Sequence, residues 1–285
     1  MLTARTIRIA AGNVRLLDSC GSGLPLVLIH GAGASKEVFM RQLESPLGEQ
    51  YRIIAMDLPG HGDSDDARDP ATAYTLRGFA AAVGEVLKAL GIARTAVYGW
   101  SLGGHIAIEL LASNPAVAGL MLTGAPPVAP GPLGMLRGFH THWDLLLASK
   151  EHFSARDATR FHNLCFGDDG SPTFLKAIER ADGRARPIVF RSMMRGECAD
   201  QKQAVERAGV PIAMINGAHD PIVRLGYLSA LSYRMLWDER CYVIAGAGHA
   251  PFWSAAGAFN ELLGRFLPDV EIAATAEDER IAHRA

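Results

Sequence analysis

Six short apolar runs, separated by stretches with helical spacing, constrain the fold of this chain most. The runs are residues 24–30, 52–57, 95–100, 118–123, 211–216 and 241–245. Continuous apolar runs of this length are typical of strands that are buried on both faces. Helical spacing of apolar side chains occurs at residues 76–90, 105–112 and 255–266. The alternation predicts an α/β fold with a mostly parallel sheet covered by helices on both faces.

Three segments depart from this alternation. Residues 6–17 alternate apolar and polar side chains and precede a Gly-Ser-Gly turn, which predicts an antiparallel hairpin at the sheet edge. Residues 126–209 open with several prolines and continue with aromatic, helical sequence, which predicts an inserted helical cap. We therefore expect a core of residues 1–125 and 210–270. The charged, Ala-rich segment 271–285 is expected to be a frayed tail.

Composition excludes several classes of protein. The 285 residues are 49% hydrophobic, with 28 basic and 30 acidic side chains and a net charge of −2. This balance argues against a nucleic-acid partner and against intrinsic disorder. The four cysteines have no CxxC spacing, and no apolar stretch approaches a membrane span or a signal peptide. We expect a cytoplasmic enzyme without a membrane partner and without a cofactor; the sequence does not predict its oligomeric state.

A candidate nucleophile lies in the segment GWSLG at residues 99–103. It follows a predicted strand and opens a predicted helix, which is the context of the G-x-S-x-G nucleophile elbow. Ser101 would occupy a strained strand-to-helix turn, where Gly99 and Gly103 leave room for close backbone approach. A Gly-rich turn with an unrelated serine would match the same five residues. The assignment of Ser101 as nucleophile therefore depends on the predicted strand before the motif and the predicted helix after it.

A candidate base and a candidate acid follow two later strands. His249 lies in GAGHAP and Asp220 in NGAHDP, each just after a predicted strand. Asp220 could orient the His249 imidazole and stabilise its charged form. The neighbouring His219 is an alternative base, although it lacks the loop setting of His249. The chain order Ser101, Asp220, His249 is the order that this sheet topology produces.

Two backbone N–H groups are candidates for an oxyanion hole. The turn HGAG at residues 30–33 follows the first core strand and brings the N–H of Ala32 toward the serine. The N–H of Leu102 at the start of the next helix would be the second donor. Gly31 would allow the close approach, although an ordinary tight turn would also need these glycines.

Taken together, HGAG, DLPGHGDS, GWSLGG, NGAHDP and GAGHAPF resemble the α/β-hydrolase family from about residue 24 to residue 266. The resemblance implies a serine hydrolase core with a cap after the sixth strand. Longer stretches, GWSLGGHI, LTGAPPVA and DGRAR, are similar to the metal-independent N-acyl-homoserine lactonases of this fold. The closer resemblance implies opening of the lactone ring of bacterial quorum-sensing signals, with Ser101, Asp220 and His249 as the triad.

The chain differs from these lactonases at two positions near the substrate. Ala32 stands where they have a polar Asn, and Phe161 stands where they have a tyrosine. Either difference would alter substrate choice without altering the triad. Candidate substrate contacts are Gly31, Trp100, Phe139, Trp143, Phe161 and Met194. The apolar ones among them suit the acyl chain of a small ester or lactone, although cap helices also need such residues for their own core.

Other activities stay open at this point. A general carboxylesterase, a C–C bond hydrolase and a cofactor-free perhydrolase share the triad, and a hydrolase-fold receptor binds a small ligand without turnover. The segment HTHWD at residues 140–144 resembles the start of the zinc motif of unrelated lactonases. Leu145 replaces the last histidine of that motif, so we expect no metal site.

Overall fold

An eight-stranded sheet forms the centre of the computed structural model, which describes residues 2–141 and 143–282 and the side chains as far as Glu277. Its strands are β1 (Thr3–Ile9), β2 (Gly12–Asp18), β3 (Gly23–Ile29), β4 (Tyr51–Met56), β5 (Thr95–Trp100), β6 (Val117–Thr123), β7 (Ile212–Gly217) and β8 (Tyr242–Ile244). All six predicted core strands are present. No strand end differs from its predicted position by more than one residue.

The strand order is β1-β2-β4-β3-β5-β6-β7-β8. β1 and β2 pair antiparallel, as does β2 with β4, whereas all later neighbours pair parallel. The predicted edge hairpin and the mostly parallel sheet are therefore confirmed. Because parallel strands share one direction, the carboxyl ends of β3, β5, β6, β7 and β8 meet at one edge of the sheet.

Helices cover the sheet and fill the segment between β6 and β7. The α-helices of the described residues are α1 (Met40–Leu43), α2 (Leu47–Gln50), α3 (Pro70–Ala73), α4 (Leu76–Ala89), α5 (Leu102–Ser113), α6 (Pro132–Gly138), α7 (Ala155–Phe166), α8 (Pro172–Arg180), α9 (Ala185–Met194), α10 (Gln201–Glu206), α11 (Leu225–Ser229), α12 (Pro251–Ser254) and α13 (Ala256–Ala282). Short 3-10 helices lie at Lys36–Phe39, Trp143–Ser149, Gly167–Asp169 and Trp237–Glu239.

Local chemistry explains where α4 begins and ends. The Thr75 hydroxyl accepts a hydrogen bond from the N–H of Gly78 at 3.0 Å, which satisfies a donor that the helix itself leaves unpaired. Phe79 and Val83, one turn apart, are fully buried against the core. Gly91 follows with φ +67, the left-handed conformation that commonly ends a helix.

The expectation of a frayed tail from residue 271 is wrong as far as Ala282. Helix α13 continues into this segment and ends at Ala282. Val270 and Ala274 are buried on its inner face, and the Glu271 carboxylate accepts a hydrogen bond from the Leu24 N–H at 2.9 Å. The Ala-rich, charged composition that suggested fraying is also that of a helix with one buried face. Residues 283–285 lie outside the described residues.

The segment between β6 and β7 contains helices α6 to α10 and no strand among its described residues. Two hydrogen bonds join it to loops of the sheet layer at Asp182. The Asp182 N–H donates to the Gly60 carbonyl at 2.8 Å, and the Tyr74 hydroxyl donates to the Asp182 carboxylate at 2.6 Å. These bonds hold the inserted helices over the carboxyl-end edge of the sheet.

Candidate active site

Ser101 occupies a strained turn between β5 and α5. Its backbone has φ 54 and ψ −121, a combination that non-glycine residues rarely adopt. The turn needs its glycines: a Cβ on Gly99 would lie 2.4 Å from the Gly103 carbonyl oxygen, and one on Gly103 would lie 2.0 Å from the Ile29 oxygen. The predicted nucleophile elbow therefore has the geometry that exposes a serine at the end of a strand.

Asp220 and His249 form a buried pair. The His249 Nδ1 lies 2.9 Å from the Asp220 Oδ2, and both side chains are inaccessible to solvent. The other carboxylate oxygen accepts hydrogen bonds from the N–H groups of Ile222 at 2.8 Å and Val223 at 3.2 Å. These contacts fix the carboxylate, which then holds the imidazole with its proton on Nδ1.

The electrostatics of Asp220 favour the charged carboxylate. Burial alone would raise its pKa, but the charge and hydrogen bond of His249 and the two backbone N–H groups together lower that pKa below its ordinary value. Asp220 is therefore ionised at neutral pH, and the His249 ring presents its Nε2 on the side away from this carboxylate. Among the described residues this Nε2 is buried and has no hydrogen-bond partner.

Ser101 follows β5, Asp220 follows β7 and His249 follows β8, and the end of β6 contacts both Ser101 and His249. The Ser101 N–H donates to the Thr123 carbonyl at 2.8 Å, and the Gly124 N–H donates to the Asn216 side-chain oxygen at 2.8 Å. The imidazole of His249 lies directly over Gly124, where a Cβ would be 2.5 Å from its Cε1. Ser101 thus contacts Thr123, and His249 contacts the next residue, Gly124. His219, the alternative base, is exposed on the loop.

The loop that carries Ala32 is held by a buried histidine. His30 Nε2 accepts a hydrogen bond from the Leu58 N–H at 3.0 Å, and its Nδ1 donates to the Gly31 carbonyl at 2.8 Å. Burial lowers the pKa of His30 to about 4, so this neutral tautomer persists at neutral pH. A Cβ on Gly31 would lie 3.1 Å from the Ser101 Cβ, so the loop can approach the serine this closely because Gly31 has no side chain.

An apolar cavity of about 630 Å³ opens above Ser101. Its wall includes Ala32, Ser101, Leu102, Phe139, Trp143, Phe161 and Met194 from the predicted site. Leu102 is the first residue of α5, so its N–H has no carbonyl acceptor within the helix and is available to an oxyanion. The size and apolar lining suit a small ligand with a hydrocarbon chain.

Two predicted substrate contacts do not line this cavity. Gly31 lies against the Trp100 ring and the Ser101 Cβ, and Trp100 is buried with its indole N–H donating to the His249 carbonyl at 2.9 Å. Trp100 is the last residue of β5, and its side chain points to the opposite side from that of Ser101. Its ring packs beneath the site against Phe166 and Phe252. Trp143, by contrast, is 83% exposed at the mouth of the cavity. Both Gly31 and Trp100 support the site without reaching its ligand space.

Sequence reasoning missed a polar residue in the cavity wall, His105, and its buried partner Gln201. The available signal was the position of His105, one turn into the predicted helix that follows Ser101. For metals, no group of three or more His, Cys, Asp or Glu in the described part of the chain could hold an ion. His142 of the HTHWD segment lies outside the described residues.

The fold, the strained Ser101 and the buried Asp220–His249 pair are together typical of one protein family. Residues 25–256 match the family of the alpha/beta hydrolase fold, and the chain belongs to that family. Hydrolases and esterases of this family cleave ester bonds. Within the described part of the chain, none of the helices has the length and hydropathy that a membrane span requires.

Particular relatives are also similar to this chain. A mutant of N-acyl homoserine lactonase AidH in complex with N-hexanoyl homoserine lactone is 41% identical, with a TM-score of 0.91, over 94% of this chain and 98% of that one. Pimeloyl-(acyl-carrier protein) methyl ester esterase of Xanthomonas axonopodis pv. citri (strain 306) is 29% identical over 89% of this chain and 99% of its own length. A putative aryl esterase from Burkholderia cenocepacia shares the fold, with a TM-score of 0.75 at 23% identity over 95% of this chain and all of that one.

Proposed function

We propose that this protein is a serine hydrolase that opens the lactone ring of N-acyl homoserine lactones. The observation that carries the proposal is the 41% identity to the lactonase AidH over nearly the whole of both chains. The apolar cavity above Ser101 supports it, because such a ligand combines a polar lactone with a hydrocarbon chain. The products would no longer act as quorum-sensing signals, and we propose the cytoplasm as the site of the reaction.

The proposed mechanism begins with the transfer of the Ser101 hydroxyl proton to His249 Nε2 as the serine oxygen attacks the lactone carbonyl. Asp220 stabilises the imidazolium that forms. The N–H groups of Ala32 and Leu102 donate to the oxyanion of the tetrahedral intermediate. When this intermediate collapses, the ring C–O bond breaks, and the leaving alkoxide takes the proton from His249.

The second half of the reaction releases the acyl group from Ser101. The alcohol stays tethered to the acyl group, so the acyl-enzyme still holds the whole ligand. His249 accepts a proton from water, the hydroxide attacks the ester carbonyl, and Ser101 regains its proton as the ester bond breaks. One N-acyl homoserine leaves per turnover, and no metal or cofactor enters any step.

We also propose that residues 126–209 form a cap that selects the acyl chain. Most of the apolar lining comes from this segment, including Met135, Phe161, Val189 and Met194, whereas the sheet layer supplies Ala32 and Ser101. Exposed Leu136 and Trp143 lie at the mouth, where a longer acyl chain would leave the cavity. Phe161 in place of a tyrosine makes this wall more apolar.

The experiment compares lactones with a simple ester. A series of N-acyl homoserine lactones from butanoyl to dodecanoyl is assayed by proton release, with p-nitrophenyl butyrate alongside and a chelator present throughout. We expect lactone kcat/KM at least tenfold above that of the ester. Cleavage of the ester alone would favour a general carboxylesterase, which the similarity to a methyl ester esterase also supports.

A further inference from the structure

His105 is a polar residue of the cavity wall that the mechanism above does not use. It lies on α5 one turn after Ser101, and its N–H donates to the Ser101 carbonyl at 3.3 Å. The side chain lines the same cavity as Ser101 but is otherwise buried, with 5% exposure. The surrounding wall is apolar, so this ring is among the few polar groups that a bound ligand can meet.

Gln201, at the start of α10, fixes the tautomer of His105. The Gln201 side-chain nitrogen donates to the His105 carbonyl at 3.4 Å, which leaves its oxygen as an acceptor. That oxygen lies 2.7 Å from the His105 Nδ1, so the proton of the neutral ring is on Nδ1. Gln201 is itself 1% exposed, which removes competing water.

The ring is neutral at ordinary pH. Burial lowers the pKa of His105 to about 4, outweighing its hydrogen bond to the Gln201 oxygen, which would raise it; the proximity of His249 lowers this pKa further. With Nδ1 occupied by Gln201 and one ring face against Phe139 at 5.8 Å, the edge left to the cavity carries Nε2. The cavity wall therefore presents one hydrogen-bond acceptor close to the serine.

The position of this acceptor selects a ligand chemistry. Ser101 is the non-helical residue before α5, the N–H of His105 donates to its carbonyl at 3.3 Å, and both side chains line the same cavity. An N–H on the carbon next to a scissile carbonyl lies two bonds from the atom that Ser101 attacks, so one ligand spans both side chains. We propose that His105 Nε2 accepts a hydrogen bond from this N–H, and that the site thereby prefers esters and lactones with an α-amide. The proposal rests on the proposed function and names the determinant of its substrate class.

The test removes the N–H from the substrate and the acceptor from the protein. The first pair is N-hexanoyl homoserine lactone and its analogue with CH₂ in place of the amide N–H. The second pair is the p-nitrophenyl ester of N-hexanoylglycine and its CH₂ analogue. We expect wild-type kcat/KM to favour the N–H member of each pair about tenfold or more, because an unpaired buried acceptor is costly.

Three variants separate a binding role from a structural one. His105→Phe should bring both ratios close to one, and His105→Gln should restore part of them because an amide oxygen can accept. Gln201→Leu frees the tautomer and should lower the ratios, whereas the control Gln203→Leu on the exposed face of α10 should not. Gln201 is a positioning residue, so the substrate ratio, and not activity alone, is its readout.

Each outcome decides between the two proposals. Equal losses on both members of a pair in His105→Phe would overturn the role of His105, as would a wild type that does not discriminate. If the wild type opens neither lactone but favours the N-hexanoylglycine ester, the lactonase proposal fails and His105 keeps its role. A wild type that turns over none of the four compounds contradicts both proposals.

Discussion

Replacing Gly124 with alanine tests the position of the proposed base with one methyl group. The new Cβ would lie 2.5 Å from the His249 Cε1, 3.0 Å from Nδ1 and 3.1 Å from Nε2. An ordinary contact needs about 3.4 Å or more, so the imidazole must retreat by about 1 Å. The backbone of Gly124 cannot yield easily, because its N–H is held by Asn216 and its predecessor Thr123 accepts from Ser101.

A retreat of this size moves the imidazole relative to Asp220, which holds its Nδ1 at 2.9 Å, and relative to the proposed nucleophile Ser101. Misplacing a catalytic group by about 1 Å costs about 100-fold in rate. We therefore expect kcat for ring opening of N-hexanoyl homoserine lactone to fall about 100-fold in Gly124→Ala. Strain also enters, since alanine at φ +68 costs about 1–2 kcal/mol of stability.

Gly91→Ala is the matched control for that strain. Gly91 has φ +67, and a Cβ there meets nothing within 4 Å. Gly91→Ala should show in urea unfolding the loss of stability that φ alone causes, and Gly124→Ala should lose at least as much. Only Gly124→Ala should lose activity per folded molecule. Activity of Gly124→Ala within threefold of the Gly91→Ala value would refute the placement of His249 as the base.

Three further predictions concern the acid, a buried ion pair and pH. Asp220→Asn should lower kcat about 10⁴-fold with the thermal unfolding midpoint little changed, because an amide oxygen can still accept from Ile222 and Val223; a loss below tenfold would contradict its role. Lys36→Met should lower the urea free energy of unfolding by about 3–5 kcal/mol, because Lys36 Nζ lies 2.8 Å from the fully buried Asp57 carboxylate; an effect below about 1 kcal/mol would refute this reading. Burial lowers the pKa of His30 to about 4 and that of His61 to about 3, so between these values and about 6.5 only the unfolded chain binds their protons. The free energy of unfolding should therefore fall as pH drops from 7 toward 4, by up to about 1.4 kcal/mol per pH unit for each histidine, and a flat profile in urea titrations from pH 7 to 5 would be inconsistent with this.

The sheet was predictable because its central strands are buried on both faces, and such strands occur in the sequence as short continuous apolar runs. β3, β5 and β6 carry no polar residue that solvent would need to reach, so a short continuous apolar run marks each of them. The prediction of a frayed tail was wrong because the composition of this segment does not show that one face of the helix is buried. One buried stripe with Val270 and Ala274 is enough to hold α13, and its contacts come from distant parts of the chain.

The triad candidates could be located from sequence, but the ligand wall could not. Ser101, Asp220 and His249 each follow a strand, and strand ends converge by topology. Whether Trp100 faces the ligand or the core depends on one side-chain direction at a strained turn, which no residue pattern encodes. The tautomer of His105 is fixed by Gln201, which is 96 residues away and on another helix, so the sequence around His105 does not reveal it.

The most direct test of the account is covalent labelling of the protein with a fluorophosphonate probe, followed by peptide mapping and by lactone assays of the same samples. We predict one label per chain on Ser101, parallel loss of lactone turnover, and neither labelling nor turnover in Ser101→Ala, which should remain folded. Labelling at another residue, or lactone turnover by Ser101→Ala, would contradict the assignment of the nucleophile. An unlabelled wild type that binds the lactone without opening it would instead identify a receptor on the hydrolase fold.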